Sequence, residues 1–225
     1  MAVVEVRRRM SRAMVRSAAV IAAAAMLATG AAASIYVDAK LTELKPEERV
    51  AITNPRPVQL LTEFQTNGAT NAKATKYAAP IIGEEVKSSG FASAVSDTPL
   101  PDGARLSIVI NDVPSKSNKG NGFAAGFTFG LAGVVAGDDY ETTATYTPAG
   151  GGAPIVKVEH YRIIFKFGNK ELPPDVIKVK GITEASKMMI HLTVTHVLND
   201  IAADPGFASG TAPGQPEPTP TPAAS

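Results

Sequence analysis

Five arginines, at positions 7, 8, 9, 12 and 16, stand directly before an uncharged run over residues 17–37. A basic head followed by an apolar stretch is the pattern of an export signal, its positive charge held on the cytoplasmic side. The run has 21 residues, enough to cross a bilayer, so length alone does not separate a cleaved signal from a permanent anchor. Composition does. Ten of the 21 are alanine, which favours insertion far less than Leu or Phe, and Gly30 leads into Ala31, Ala32 and Ala33. These small residues suit a signal peptidase, and cleavage is predicted between Ala33 and Ser34. The alternative is an uncleaved helix that keeps the chain at the inner membrane. Arg8 and Arg9 raise the twin-arginine route, although the residues after them fit that pattern poorly. No cysteine follows the run, which excludes a lipid anchor there.

An exported chain meets an oxidising compartment, yet this one has no cysteine. Disulfides, thiol catalysis and thiolate metal sites are therefore absent, and stability has to come from a hydrophobic core. Removing 33 of 225 residues leaves 192, of which residues 208–225 are a Pro/Thr-rich tail expected to be disordered. About 160 residues remain, which suits one domain. The predicted layout is a signal at 1–33, a loosely packed lead-in at 34–57, one domain at 58–207 and the tail. Without the signal the chain carries 17 basic residues (22 − 5) and 20 acidic ones (21 − 1), a net −3. A weakly acidic domain without a basic stripe is a poor nucleic-acid binder, so no nucleic acid is expected.

Alternation marks the strands. Val58, Leu60, Thr62, Phe64 and Thr66 share one face of residues 58–66, and the other face is mostly polar. Asn67 and Gly68 supply turn chemistry. Asn71 is a predicted cap for a helix to about residue 89, with Ala74, Tyr77, Ala78, Ile81, Ile82 and Val86 as its apolar stripe, a kink or restart at Pro80, and Gly90 closing it. Short strands are predicted at 50–53 and 91–96 and a longer one at 104–113. Residues 138–147 and 155–167 form a predicted hairpin across Gly150, Gly151 and Gly152. Its second arm changes phase: Val156 and Val158 fall on one face, and Tyr161, Ile163, Phe165 and Phe167 on the other. A bulge near Glu159 and His160 would bring both sets to one side. A short strand at 176–179 and a final helix from a Thr183 cap to about residue 203 complete the order. That order gives an α+β two-layer sandwich, a mostly antiparallel sheet with two main helices on one face.

Few residues suggest chemistry. His191 and His196 are five apart on the final helix, whereas a helical zinc pair wants a spacing of four, so both read as packed or surface residues. Glu159, His160 and Asp139 are the only residues nominated for an enzymatic alternative. No catalytic residue, metal site or cofactor is expected. The sharpest anomaly is the charge-free run at 120–137, which opens on Gly120 and has further glycines at 122, 126, 130, 133 and 137. Within it Phe123, Phe127, Phe129 and Leu131 are the candidate apolar interface, and a glycine-rich hairpin over 120–147 could instead contact a membrane.

This succession of strand, helix, Gly90-Phe91, strand, glycine-rich hairpin and late helix resembles a group of bacterial envelope proteins. The group includes the TolB amino-terminal domain, the curli secretion lipoprotein and the lipoprotein activators of penicillin-binding proteins. The missing lipobox cysteine departs from its lipoprotein members. The resemblance implies a non-catalytic accessory role and carries over no functional residue. The expected function is an exported, periplasmic accessory protein that binds another envelope protein or itself. The alternatives are an oligomeric transport or pore component using residues 120–147, and a periplasmic enzyme.

Overall fold

The computed structural model describes residues 34–114 and 134–209. Eight strands form one sheet: β1 (Ser34–Asp38), β2 (Val58–Thr66), β3 (Ala69–Thr70), β4 (Val95–Ser96), β5 (Ala104–Pro114), β6 (Val134–Thr147), β7 (Ile155–Phe167) and β8 (Val176–Val179). Their order is β3-β2-β5-β6-β7-β1-β8, with β4 also paired to β2. Among the described residues three α-helices, α1 (Ala72–Ser88), α2 (Ile182–Ala202) and the short α3 (Pro205–Ser209), and one 3-10 turn (Pro46–Glu48) join them. The predicted α+β class, with a mostly antiparallel sheet and two main helices on one face, is the observed one. The parallel pairings are those of β2 with β5 and with the short β4; both follow from α1, whose helix returns the chain so that β4 and β5 run in the direction of β2.

Local chemistry explains the elements that sequence predicted well. Asn67 and Gly68 both take positive φ, at 54° and 75°, and make the two-residue turn between β2 and β3. The Asn71 side chain accepts from the Ala74 amide at 3.1 Å and caps α1. The helix runs through Pro80 as one element, without the expected restart. Its buried stripe is Ala78, Ile82 and Val86, while Tyr77 faces out. Gly90 ends the turn with φ +71°.

Residues 34–38 are not loose lead-in: β1 is paired on both edges, and Val37 is fully buried against the core. Residues 50–53 are not a strand, and 91–96 contribute only β4. Thr183 lies inside α2, whose N-cap is Gly181 with no side-chain cap. The bulge in β7 does not exist. Its pairing with β6 advances unbroken from Tyr146–Ile155 through Thr142–Glu159 to Val134–Phe167. The strand stays regular and leaves Val156 and Val158 outside.

β6 begins at Val134, earlier than the predicted residue 138, and buries Tyr140, Thr142, Ala144 and Tyr146 under the helices. The 134–147 part of the proposed membrane hairpin is therefore sheet. α2 is buried over much of its circumference because three things cover it: the sheet, α1 and the segment 42–50. The last contact is polar. His196 Nε2 donates to the Thr42 carbonyl at 2.8 Å, and the Asn199 amide accepts from the Val50 N–H at 2.8 Å and donates to the Glu48 carbonyl at 3.2 Å.

Thr142 and Thr193 are the buried polar residues among those described. Thr142 Oγ1 donates to Thr193 Oγ1 at 2.9 Å, and Thr193 Oγ1 donates to the Met189 carbonyl at 2.9 Å, tying α2 to β6. Thr193→Val strands the Thr142 hydroxyl without an acceptor and should cost about 1–3 kcal/mol, whereas Thr142→Val with Thr193→Val should recover most of the loss. Urea unfolding of the two variants checks this, since a double variant as unstable as the single one would refute it.

Candidate functional site

The candidate interface residues Phe123, Phe127, Phe129 and Leu131 lie outside the described residues, as does Ala33. Ser34 is the first residue of β1. The three residues nominated for an enzyme do not converge. Asp139 and His160 are exposed on the face away from the helices, where they pair with Arg162 and Glu141 respectively. Glu159 sits on the helix side, opposite Thr142. Among the described residues no group of His, Cys, Asp and Glu could hold a metal ion, and no helix is long and apolar enough to cross a membrane.

The sheet face away from the helices presents a different kind of surface. Strand pairing lines up Leu61, Ser107, Thr145 and Val156 in one row, and Glu63, Val109, Thr143 and Val158 in the next. Leu61 is 38% exposed, Val156 52% and Val158 44%. Along the strands the face turns charged. Gln65, Asn111, Glu141 and His160 form a third row, followed by Val113, Asp139 and Arg162. Arg162 Nη2 meets Asp38 Oδ2 at 3.4 Å. No helix of the described residues covers this face. It combines an apolar–threonine patch with charges of both signs, and exposed apolar patches of this kind mark association surfaces. The signal for it was the phase change in β7, whose outward valines were visible in the sequence.

No family model matches the chain, and no curated protein matches it. Several solved structures share its fold pattern weakly. A point variant of PelC from Paraburkholderia phytofirmans, described as a dodecamer, is 12% identical, with a TM-score of 0.28, covering 77% of this chain and all of its own (100%). A second PelC dodecamer structure from the same organism is 10% identical, with a TM-score of 0.28, covering 75% of this chain and 96% of its own. An uncharacterized protein is 13% identical, with a TM-score of 0.29, covering 69% and 94%. Scores this low do not transfer a function. PelC is also not one of the envelope proteins named for the sequence pattern.

Under the helices, a polar cluster interrupts the core where β5 and β6 meet the 115–133 connection. Asp112 continues the inward face of Ile108 and Ile110 and stands opposite Tyr140. Its Oδ1 is buried with no hydrogen-bond partner. Burial, then the neighbouring Asp138, pushes its carboxyl up to about 7. Burial and Asp139 raise Asp138 in the same direction. Burial, with Asp112 and Asp138 nearby, also raises the Tyr140 phenol. Two crowded carboxylates resist simultaneous ionisation. The linkage has a definite sign. A carboxyl raised in the fold keeps a proton that the unfolded chain releases, so stability falls as pH rises from about 4 to about 7 and the penalty is full above that. Asp112→Asn should therefore raise the melting temperature at about pH 8 and leave it nearly unchanged near pH 4. A variant equally stabilised at both pH values would show that the carboxyl charge is not responsible.

On the outer side of the helices, α1 and the start of α2 form an open groove of about 1150 Å³, floored by Pro80, Ile81, Ile182 and Met188. A smaller cavity of about 110 Å³ lies under Leu44, Val50 and Ile52, against Phe91 and Leu198. Glu85 and His191 line both. His191, expected as a packed or surface residue, is part-buried and bonded through both ring nitrogens. Its Nδ1 lies 2.8 Å from a Glu85 carboxylate oxygen and its Nε2 2.9 Å from one of Glu43. Sequence spacing within one helix could not reveal a contact made across three separate segments.

Proposed function

We propose that this chain is an exported, non-catalytic component of a bacterial cell envelope that works by associating with further copies of itself through the open sheet face. The observation that carries this reading is the pair Val156 and Val158, both well exposed beside Thr143 and Thr145 on a face that no described helix covers. Two such faces can stack as a sheet sandwich with about 10 Å between sheets. The mixed charges around the patch suit a second copy, because a self-complementary interface must place the same surface on both sides. A strongly one-signed patch would instead have pointed to nucleic acid or an anionic membrane. PelC is described as a dodecamer, and extending self-association to this chain is part of the proposal rather than its support. The alternative at the envelope is binding to a different protein, and one measurement separates the two.

Sedimentation velocity of the chain recovered from the exported fraction, at micromolar concentration, should show an oligomer. A monomer over the whole concentration range would sink self-association. Cross-linking that same monomer in cells to one envelope protein through Val156 or Val158 would move the reading to a heteromeric partner.

A further inference from the structure

We propose that residues 39–50 form a pH-sensitive strap over the helix layer, locked by a doubly bonded His191 that bridges Glu43 of the strap to Glu85 of α1. The inference is independent of self-association, since it concerns the opposite side of the molecule.

The geometry sets the protonation state the lock needs. Both ring nitrogens face carboxylate oxygens, and an ionised carboxylate only accepts hydrogen bonds. Two accepting partners require two N–H donors, which only the imidazolium has. A neutral ring has one donor and one lone pair, and the lone pair would face an anion. Burial opposes the charged ring, but the hydrogen bonds and charges of Glu43 and Glu85 outweigh it and raise the His191 pKa above its usual value. A group raised in this way stabilises the closed state fully at low pH, and the stabilisation is lost as pH rises through the folded-state value.

The surroundings reinforce one outcome. From α1, Glu84 and Glu85 line the groove beside His191; from α2 and its lead come Lys180, Glu184 and Lys187; from the strap come Glu43 and, on the second cavity, Arg49. Glu84 is engaged with Lys87 at 3.2 Å, and Glu184 accepts from the Lys180 amide at 2.6 Å. Lys187 lies one turn before His191 on the same helix, and its positive charge favours the neutral ring. The direct carboxylate contacts therefore hold the proton against it. His196 is built differently. It makes one bond, to the Thr42 carbonyl, and a neutral ring can donate that bond as well as a charged one. The two histidines of α2 thus differ in what they need: His196 one N–H donor, His191 two.

Release has a structural consequence. Glu85 and His191 form the wall shared by the large groove and the small cavity. Loss of the lock frees Glu43 and loosens the strap beside that wall, while the Asn199 bonds to Val50 and Glu48 and the His196 bond to Thr42 keep it seated on α2.

The test is amide hydrogen exchange of the full exported chain at about pH 6 and about pH 9, corrected for the intrinsic pH dependence of exchange. Exchange in 39–50 should rise several-fold at the higher pH while α1 stays protected. His191→Gln should abolish that difference, and His196→Gln should keep it. Glu43→Gln alters only an exposed side chain and is the safeguard against a misfolded His191 variant; it should raise strap exchange several-fold at about pH 6. A strap whose exchange ignores pH in the parent chain, or a pH response that survives both His191→Gln and Glu43→Gln, overturns the proposal.

Discussion

Val156→Asp combined with Val158→Asp should convert the assembled chain to monomers without disturbing its fold. Both valines project from β7 on the open face, and their cross-strand neighbours Thr145 and Thr143 belong to β6. With 52% and 44% of their surface exposed in the single chain, they contribute little to its core. Substitutions at such positions usually change stability by less than about 0.5 kcal/mol. In a stacked pair of sheets the same positions would be central, and each aspartate would bring a charge into an apolar contact with no counter-ion. Central interface residues commonly account for about 2 kcal/mol or more each, so one substitution should weaken association about thirtyfold and the two together far more. Sedimentation equilibrium reads the association, and thermal unfolding reads the fold. Monomers with an unchanged melting temperature are the expected result. An oligomer that persists would place the contact elsewhere on the molecule.

These valines also show where the sequence was legible and where it was misread. Alternation located β2, β5, β6 and β7 because each has one face against a core, and capping chemistry located α1 from Asn71 to Gly90. The phase change in β7 is plain in the sequence, but it calls for a bulge only on the premise that every apolar residue must be buried. The structure keeps the register and exposes the valines, and the anomaly becomes the best candidate surface. Other errors have a different origin. β1 looked like loose lead-in because five residues carry too little pattern to announce a strand; its place between β7 and β8 is decided by contacts more than a hundred positions away. The parallel pairing of β2 with β5 follows from the intervening helix, but no single residue records it. The His191 contacts join residues 43, 85 and 191, and the Asp112 cluster joins two strands across the 115–133 connection. Neither has a local signature. The candidate interface at Phe123, Phe127, Phe129 and Leu131 falls outside the described residues, so the open face takes its place as the surface to test first.

Phe91→Ala should produce the largest loss of stability of any substitution considered. Phe91 is only 2% exposed and follows the Gly90 turn that ends α1, so its ring is delivered under the helix layer at the end of the sheet where β2 begins. There it meets Tyr146 of β6 edge-on, with ring centres 5.7 Å apart, and Phe207 of α3 at 5.0 Å. Tyr146 and Phe207 also touch, at 5.0 Å, so the three rings close a triangle among α1, the sheet and α3. Truncation removes one corner and leaves a cavity that two partners on separate elements cannot fill together. Buried Phe→Ala changes cost about 3–5 kcal/mol, which for a domain of this size is a fall of roughly 10 °C in melting temperature. Phe207→Ala should cost less, because that ring is only partly buried and α3 is five residues long. The comparison separates two roles for the triangle. If the rings stabilise the core, Phe91→Ala lowers the global unfolding free energy, and Phe207→Ala mainly raises hydrogen exchange near the end of α2. Equal losses in the two variants would instead make α3 an integral part of the cooperative domain, with the ion pair between Lys157 and Asp204, 3.0 Å long, as its second tie to the sheet.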